Sequence, residues 1–272
     1  MSTALITGAN RGLGLEFVRR LSLMGWRVLA TCRSPGQAEA LNRIAAESRH
    51  GVEVHQLDVV DPQSIDALSA ALGDGAVDLL VCNAGVSRMK QALITGAEGQ
   101  RIQDVDDALW FEAFCTNAIG PLRVAAAFAD RVAASELRLM AFMSTRMSVA
   151  GQDSSGAYYM YRTSKAALNV IVKNLSIELA PRGITCVALH PGWVRTDMGG
   201  PNADVSPEES VSGMLKILLD AKPLKKAQFF DYRGETVPWY SQSPRTTARA
   251  PCACPGRSHA ARPVPLRAPH RR

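Results

Sequence analysis

The chain has 272 residues, 47% of them apolar, which is enough for one large α/β core. Its net charge of +6 is gathered at one end: seven of the 31 basic residues are arginines in 241–272, which holds no acidic residue, so 1–240 carries 24 basic against 25 acidic side chains. A near-neutral body excludes a charge-driven nucleic-acid binder, the lack of an 18-residue apolar run excludes a membrane-spanning helix, and six cysteines (32, 82, 115, 186, 252, 254) show no metal-ligand spacing in the body.

Taken in chain order, apolar strand-like runs fall at 2–7, 27–32, 52–57, 77–82, 138–144, 184–190 and 227–230. Helix-like periods fall between them at 12–25, 36–48, 62–72, about 106–134, 158–180 and 207–220. Strand alternating with helix predicts a single α/β domain with a doubly wound parallel sheet of about seven strands, covered on both faces. In such a sheet the ligand lies at the carboxyl ends of the strands. The chemistry-bearing residues fall there: Gly8 after the first strand, Arg33 after the second and Asp58 after the third. Asn83 follows the fourth, Ser144 and Thr145 the fifth, and Pro191 the sixth. The first strand runs into Gly8-Ala9-Asn10-Arg11-Gly12-Leu13-Gly14 and then a helical pattern, Leu13, Phe17, Val18, Leu21. A strand, a glycine-rich turn and a helix place a pyrophosphate on helix N-terminal amides.

In the helix predicted at 158–180, Tyr161 and Lys165 sit four residues apart, so both project from one face. A free phenol, with a pKa of about 10, is a poor acid or base near neutrality. An ammonium held beside it is expected to favour phenolate and lower that value. The pair then serves as an acid/base catalyst for a carbonyl or alcohol.

These motifs resemble the short-chain dehydrogenases/reductases. The matching residues are Thr7 to Gly14, Leu57-Asp58-Val59, Asn83-Ala84-Gly85, Asn117, Tyr161-x3-Lys165 and Pro191-Gly192, in family order from Met1 to about Trp239. The pattern looks most like the carbonyl-reductase-like and cell-signalling-factor-like branches. The resemblance implies a Rossmann fold and an oxidoreductase in which Tyr161 gives a proton to the carbonyl oxygen while a nicotinamide delivers hydride to carbon. Lys165 would lower the Tyr161 pKa and hold the nicotinamide ribose, and Asn117 would help bind a water in a proton relay. The implied cofactor set is Gly8, Asn10, Arg11, Gly12, Leu13, Gly14, Arg33, Asp58, Val59, Asn83, Ala84, Gly85, Tyr161, Lys165, Pro191, Gly192, Val194 and Thr196. Asp58 would accept from the adenine amino group, and Thr196 would lie near the carboxamide. The family's substrate-binding serine has no plain match in Met143-Ser144-Thr145-Arg146-Met147-Ser148. Thr145 aligns best, with Ser144 as the alternative, and the interval to Tyr161 is a few residues longer than usual.

Cys32 stands where NAD enzymes carry an acid, so nothing there repels a 2′-phosphate, and Arg33 can pair with one in a bidentate way. Arg11 adds a second positive charge. NADP(H) is the expected cofactor, with NAD(H) as the alternative. A non-enzymatic NADP(H)-binding sensor or signalling protein on the same fold is the alternative function.

Tyr158, Trp193, Met198 and residues between about 88 and 100 are candidates to line the pocket for a small carbonyl or alcohol. Asp197-Met198-Gly199-Gly200-Pro201 reads either as a lid or as a surface loop. Arg88, Arg146 and Arg195 lie nearby without forming an evident carboxylate clamp. The body, 1–240, begins directly with a core strand, which leaves no room for a signal peptide and predicts a cytoplasmic protein. Residues 241–272, rich in Pro, Ala and Arg, are expected to be disordered. They read either as a basic interaction arm or as an extension without an evolved role. Monomer and homo-oligomer are both compatible with the sequence, and no nucleic-acid, membrane or metal partner is expected.

Overall fold

A computed structural model describes residues 1–49, 51–87, 105–150, 157–220 and 226–240. Seven parallel strands form one sheet: β1 Thr3–Thr7, β2 Arg27–Cys32, β3 Val52–Gln56, β4 Leu79–Cys82, β5 Leu139–Met143, β6 Thr185–His190 and β7 Gln228–Asp231. Their order is β3-β2-β1-β4-β5-β6-β7. The helices are α1 Gly12–Leu23, α2 Glu39–Glu47, α3 Pro62–Leu72, α4 Asp107–Phe114, α5 Gly120–Ala133, α6 Tyr159–Glu178 and α7 Pro207–Leu219.

The inner strands read as near-continuous apolar runs because both of their faces are covered, whereas the edge strand β3, Val-Glu-Val-His-Gln, is only partly buried. Side chains alternate across the sheet. Leu5, Leu80, Phe142 and Ala188 face one core with Ile65 of α3, Phe128 of α5 and Leu168 of α6. Ile6, Val81, Ala141 and Val187 face the other with Phe17 of α1, Leu41 of α2 and Met214 of α7. Phe17 and Phe128 are fully buried. Truncating either to alanine costs about 3–5 kcal/mol.

The sheet winds outward in opposite senses from β1 and β4. Their carboxyl ends therefore open a crevice at the topological switch point, where such sheets bind ligands. Three of the seven helices start with a side-chain cap: Asp61 accepts from the Gln63 amide, Asp106 from Leu109 and Ser206 from Glu209. α1 starts without one, although its N-terminus faces this crevice.

Two helical expectations need correction. The segment at 36–48 opens with a 3-10 turn, Pro35–Gln37, and α2 begins only at Glu39. The stretch 106–134 is not one regular helix: a π turn, Cys115–Ile119, separates α4 from α5, and the Gly120 amide reaches back five residues to the Cys115 carbonyl. Pro121 supplies the reason. It has no N–H, so the Asn117 carbonyl four residues earlier has no α-helical donor. Such turns are frequent at functional sites, and Asn117 sits at the centre of this one. The fourth strand also starts two residues later than its apolar run, at Leu79. Residues 241–272 lie outside the described residues.

Candidate active site

The crevice is sewn together at its floor. The Thr7 hydroxyl accepts from the amides of Asn83 and Ala84, each at 3.0 Å. The Asn83 amide group donates back to the carbonyls of Thr7 (2.9 Å) and Gly8 (3.1 Å). Glycine is required by contact here. A Cβ on Gly8 (φ +66°) would lie 2.9 Å from Ala84 Cα, and one on Gly14 only 2.2 Å from the Gly8 carbonyl oxygen. Across the crevice, Thr196 Cγ2 lies 3.5 Å from where a Gly12 Cβ would be. The uncapped start of α1 and this side-chain-free approach fit a dinucleotide pyrophosphate.

The other predicted cofactor residues spread along the same edge. Asn10 and Arg11 are exposed, and Leu13 packs against the core. Arg33 is exposed just past β2 and makes no ion pair among the described residues. The Asp58 carboxylate accepts from the Val60 amide at 3.1 Å, and its backbone N–H donates to Ser64 Oγ at 2.9 Å. The Val59 carbonyl oxygen is 3.0 Å from where a Gly120 Cβ would lie, so a larger residue at the start of α5 would press on that carbonyl. Pro191 is held by Ser210 Oγ, which donates to its carbonyl at 2.7 Å. Gly192 (φ +85°) lies under the Tyr232 ring, and Val194 bridges to Val205.

Asn117, Gly85 and Lys165 converge. A Cβ on Gly85 would lie 3.1 Å from Asn117 Oδ1 and 3.5 Å from Lys165 Nζ. The Asn117 amide group is fully engaged. It accepts from the Val86 N–H at 2.8 Å and donates to the Val86 carbonyl at 2.9 Å and to Ser164 Oγ at 3.0 Å. Ser164 Oγ donates in turn to the Tyr161 carbonyl at 2.8 Å. The π turn is thereby tied to the first turn of α6, which carries Tyr161.

Lys165 Nζ donates to the Met143 carbonyl at the end of β5, at 2.8 Å. Burial pushes its pKa down to about 8, partly offset by the neighbouring Cys82 thiol. Burial also pushes the Tyr161 phenol up to about 12. The net direction is opposite to the expected lowering, because burial of the phenol outweighs the charge of Lys165 one helical turn away. In this arrangement desolvation sets both values, and both shifts favour the neutral form.

The two hydroxyls after β5 differ in what they do. Ser144 Oγ donates to Asn169 Oδ1 at 2.6 Å, inside a buried cluster in which Asn169 Nδ2 donates to Ser148 Oγ at 2.7 Å. Thr145 Oγ1 accepts weakly from the Met147 amide at 3.3 Å, so its own proton is not spent in that bond. Nothing in the sequence marks Asn169 as the partner of Ser144, because they meet only across the β5–α6 packing.

On the substrate side, Tyr158 is half-buried with φ +59°, beside Ala157 at φ +47°. Trp193 is exposed and donates through Nε1 to the Gly199 carbonyl at 2.8 Å, and Met198 is half-buried. Arg146 is paired with the buried Asp231 at 2.7 Å and with Glu235 at 3.2 Å. Arg195 donates to the carbonyls of Ala203 and Asp204. Both are committed to the fold. Arg88 and the candidates at 88–100 lie outside the described residues, as does the insertion at 151–156. Cys82 and Cys186 are buried as expected, whereas Cys115 is only half-buried. Among the described residues no helix is long and apolar enough to cross a membrane, and no cluster of His, Cys, Asp or Glu is suited to a metal ion.

Comparison with known proteins agrees with this geometry. Over 165 residues the chain is 44% identical to C-signal of Myxococcus xanthus, a span of 61% of this chain and 94% of that protein. A short-chain dehydrogenase/reductase from Burkholderia multivorans with bound NADP superposes with a TM-score of 0.78 at 33% identity, covering 88% of this chain and 99% of that one. NADPH-bound carbonyl reductase from chicken fatty liver gives a TM-score of 0.78, also at 33% identity, over 87% and 98% of the two chains. The family pattern described as short chain dehydrogenase matches residues 2–205. With a match that runs from the first strand to the loop beyond β6, the chain belongs to the short-chain dehydrogenase family.

Proposed function

We propose that the protein is an NADP(H)-dependent oxidoreductase that interconverts a small carbonyl compound and its alcohol, with Tyr161 as the general acid/base. The observation that carries this reading is the approach of Lys165 Nζ and Asn117 Oδ1 to Gly85 at the ends of β4 and β5, with Asn117 tied through Ser164 to the backbone of Tyr161, one helical turn before Lys165. The bound cofactor supplies the hydride. Gly8, Gly12, Gly14 and the first amides of α1 hold its pyrophosphate, and Arg33 meets the 2′-phosphate, a preference supported by the NADP-bound relatives.

The chain's own groups then act on the substrate oxygen. Thr145 donates the hydrogen bond that orients it, since the Ser144 proton goes to Asn169. Tyr161, protonated at neutral pH, delivers the proton in the reductive direction. Lys165, fixed by Met143, keeps a positive charge one helical turn away to stabilise the phenolate left behind.

The test is NADPH consumption over a panel of aldehydes and ketones by the full chain and by Tyr161→Phe. The expected result is turnover by the wild type and a loss of at least about 100-fold in the variant with NADPH affinity retained. Full activity in Tyr161→Phe would overturn the mechanism. The identity to C-signal favours one second reading, a cofactor-binding protein with a signalling role. Tight NADPH binding by the wild type without turnover on any substrate supports it.

A further inference from the structure

The glycine turn and the loop beyond β6 form the two lips of the crevice. One ion pair joins them: Arg11 Nη1 lies 3.1 Å from Asp197 Oδ2, 186 positions apart in the chain. Both side chains are more than half exposed, so packing does not force the contact. Behind it, Thr196 stands against Gly12.

The loop is otherwise self-contained. The Thr196 amide donates to Val194, Gly200 to Thr196, and the Trp193 indole to Gly199. Its base is fixed by backbone bonds in which Arg195 donates to Val205 and Val205 donates to Trp193. Asp197 therefore lies at the free tip and points its carboxylate at the residue that precedes α1. A phosphate on the uncapped amides of α1 would compete with that carboxylate for the same guanidinium.

We propose that Asp197 is an affinity-setting residue, an internal carboxylate that occupies Arg11 and latches the loop to the glycine turn until a cofactor phosphate displaces it. The inference rests on the dinucleotide reading above. Displacement exchanges one anion for another at Arg11 and frees the loop tip, and departure of the cofactor lets the latch reform. An exposed pair of this kind is weak, so the latch shifts affinity by about 1.5- to 5-fold and does not block entry. Its influence fades as salt screens the pair.

The experiment is a fluorescence titration of the full chain with NADPH, at low and high salt, for wild type, Asp197→Asn, Arg11→Met and the double variant, each with its melting temperature measured. The expected result is a tightening of about 1.5- to 5-fold in Asp197→Asn at low salt, lost at high salt and absent when Arg11 is already methionine. Equal tightening in the Arg11→Met background overturns the latch, because Asp197 then acts by simple repulsion. So does an unchanged or weakened affinity in Asp197→Asn. A folded wild type that binds no NADPH overturns the dinucleotide reading itself, and the latch with it.

Discussion

Ser144 gives its hydroxyl proton to Asn169, Oγ to Oδ1, at 2.6 Å, and both residues are buried. The adjacent Thr145 has no such obligation. Of two neighbouring, buried hydroxyls at the end of one strand, one is thus committed to the core, and the proposed mechanism uses the proton of the other. Ser144→Ala should cost about 1–2 kcal/mol of stability, because Asn169 Oδ1 loses its donor, and should leave most of the turnover. Thr145→Val keeps the shape and removes the donor. It should lower kcat/KM by about 100-fold with little change in melting temperature. Denaturant titration and steady-state kinetics on both variants check the division. A larger kinetic loss in Ser144→Ala would reverse the assignment.

Lys165 should make stability depend on alkaline pH. In the unfolded chain a lysine titrates near 10.4, and here burial brings it to about 8. Between those values the unfolded chain binds more proton, so stability rises with pH through the window, by roughly 3 kcal/mol at most. Tyr161, raised to about 12, works in the opposite direction only above pH 10. Melting of wild type and Lys165→Met from pH 7 to 9.5 should show the wild type gaining on the variant as pH rises. A constant gap would refute the buried-lysine account.

Thr7 holds two half-buried amides with one oxygen. Thr7→Val is nearly isosteric and takes the acceptor from the Ala84 amide, while the Asn83 amide keeps the Val81 carbonyl at 3.0 Å, for an expected loss of about 1–3 kcal/mol. Thr7→Ser keeps the oxygen and should lose far less. Chemical denaturation of the pair separates the hydrogen bonds from the methyl packing.

Arg33→Met should weaken NADPH by about 10- to 100-fold and leave NADH nearly unchanged, since a charge-assisted bond to the 2′-phosphate is worth roughly 1.5–3 kcal/mol. Parallel titrations with the two cofactors read this directly, and an equal loss for both would remove Arg33 from the 2′-phosphate.

The inner strands were legible because each is buried on both faces and reads as an apolar run. Leu79–Cys82 needs nothing beyond its own four residues to declare itself. The glycine turn was legible for a similar reason, since Gly8 and Gly14 meet backbone that is always present. The π turn had a signal, Gly120-Pro121 inside a helical period, but the periodicity of 106–134 hides a one-residue slip. Asn169 and Asp197 had none, because their partners come from distant parts of the chain. The Tyr161 pKa went astray for a different reason: spacing places a charge beside a phenol but says nothing of how much water surrounds it.

Asn83 and Thr7 clamp β1 to β4 where the sheet divides, so the wall on that side of the crevice is set before any ligand arrives. With the proposed Arg11–Asp197 latch released, adaptation falls to the opposite wall, from Val194 to Gly200, and a visitor meets one fixed jaw and one that yields. Chemical variants of the cofactor will be sorted by the rigid jaw at the moment of fit, while the time they stay is governed by the other.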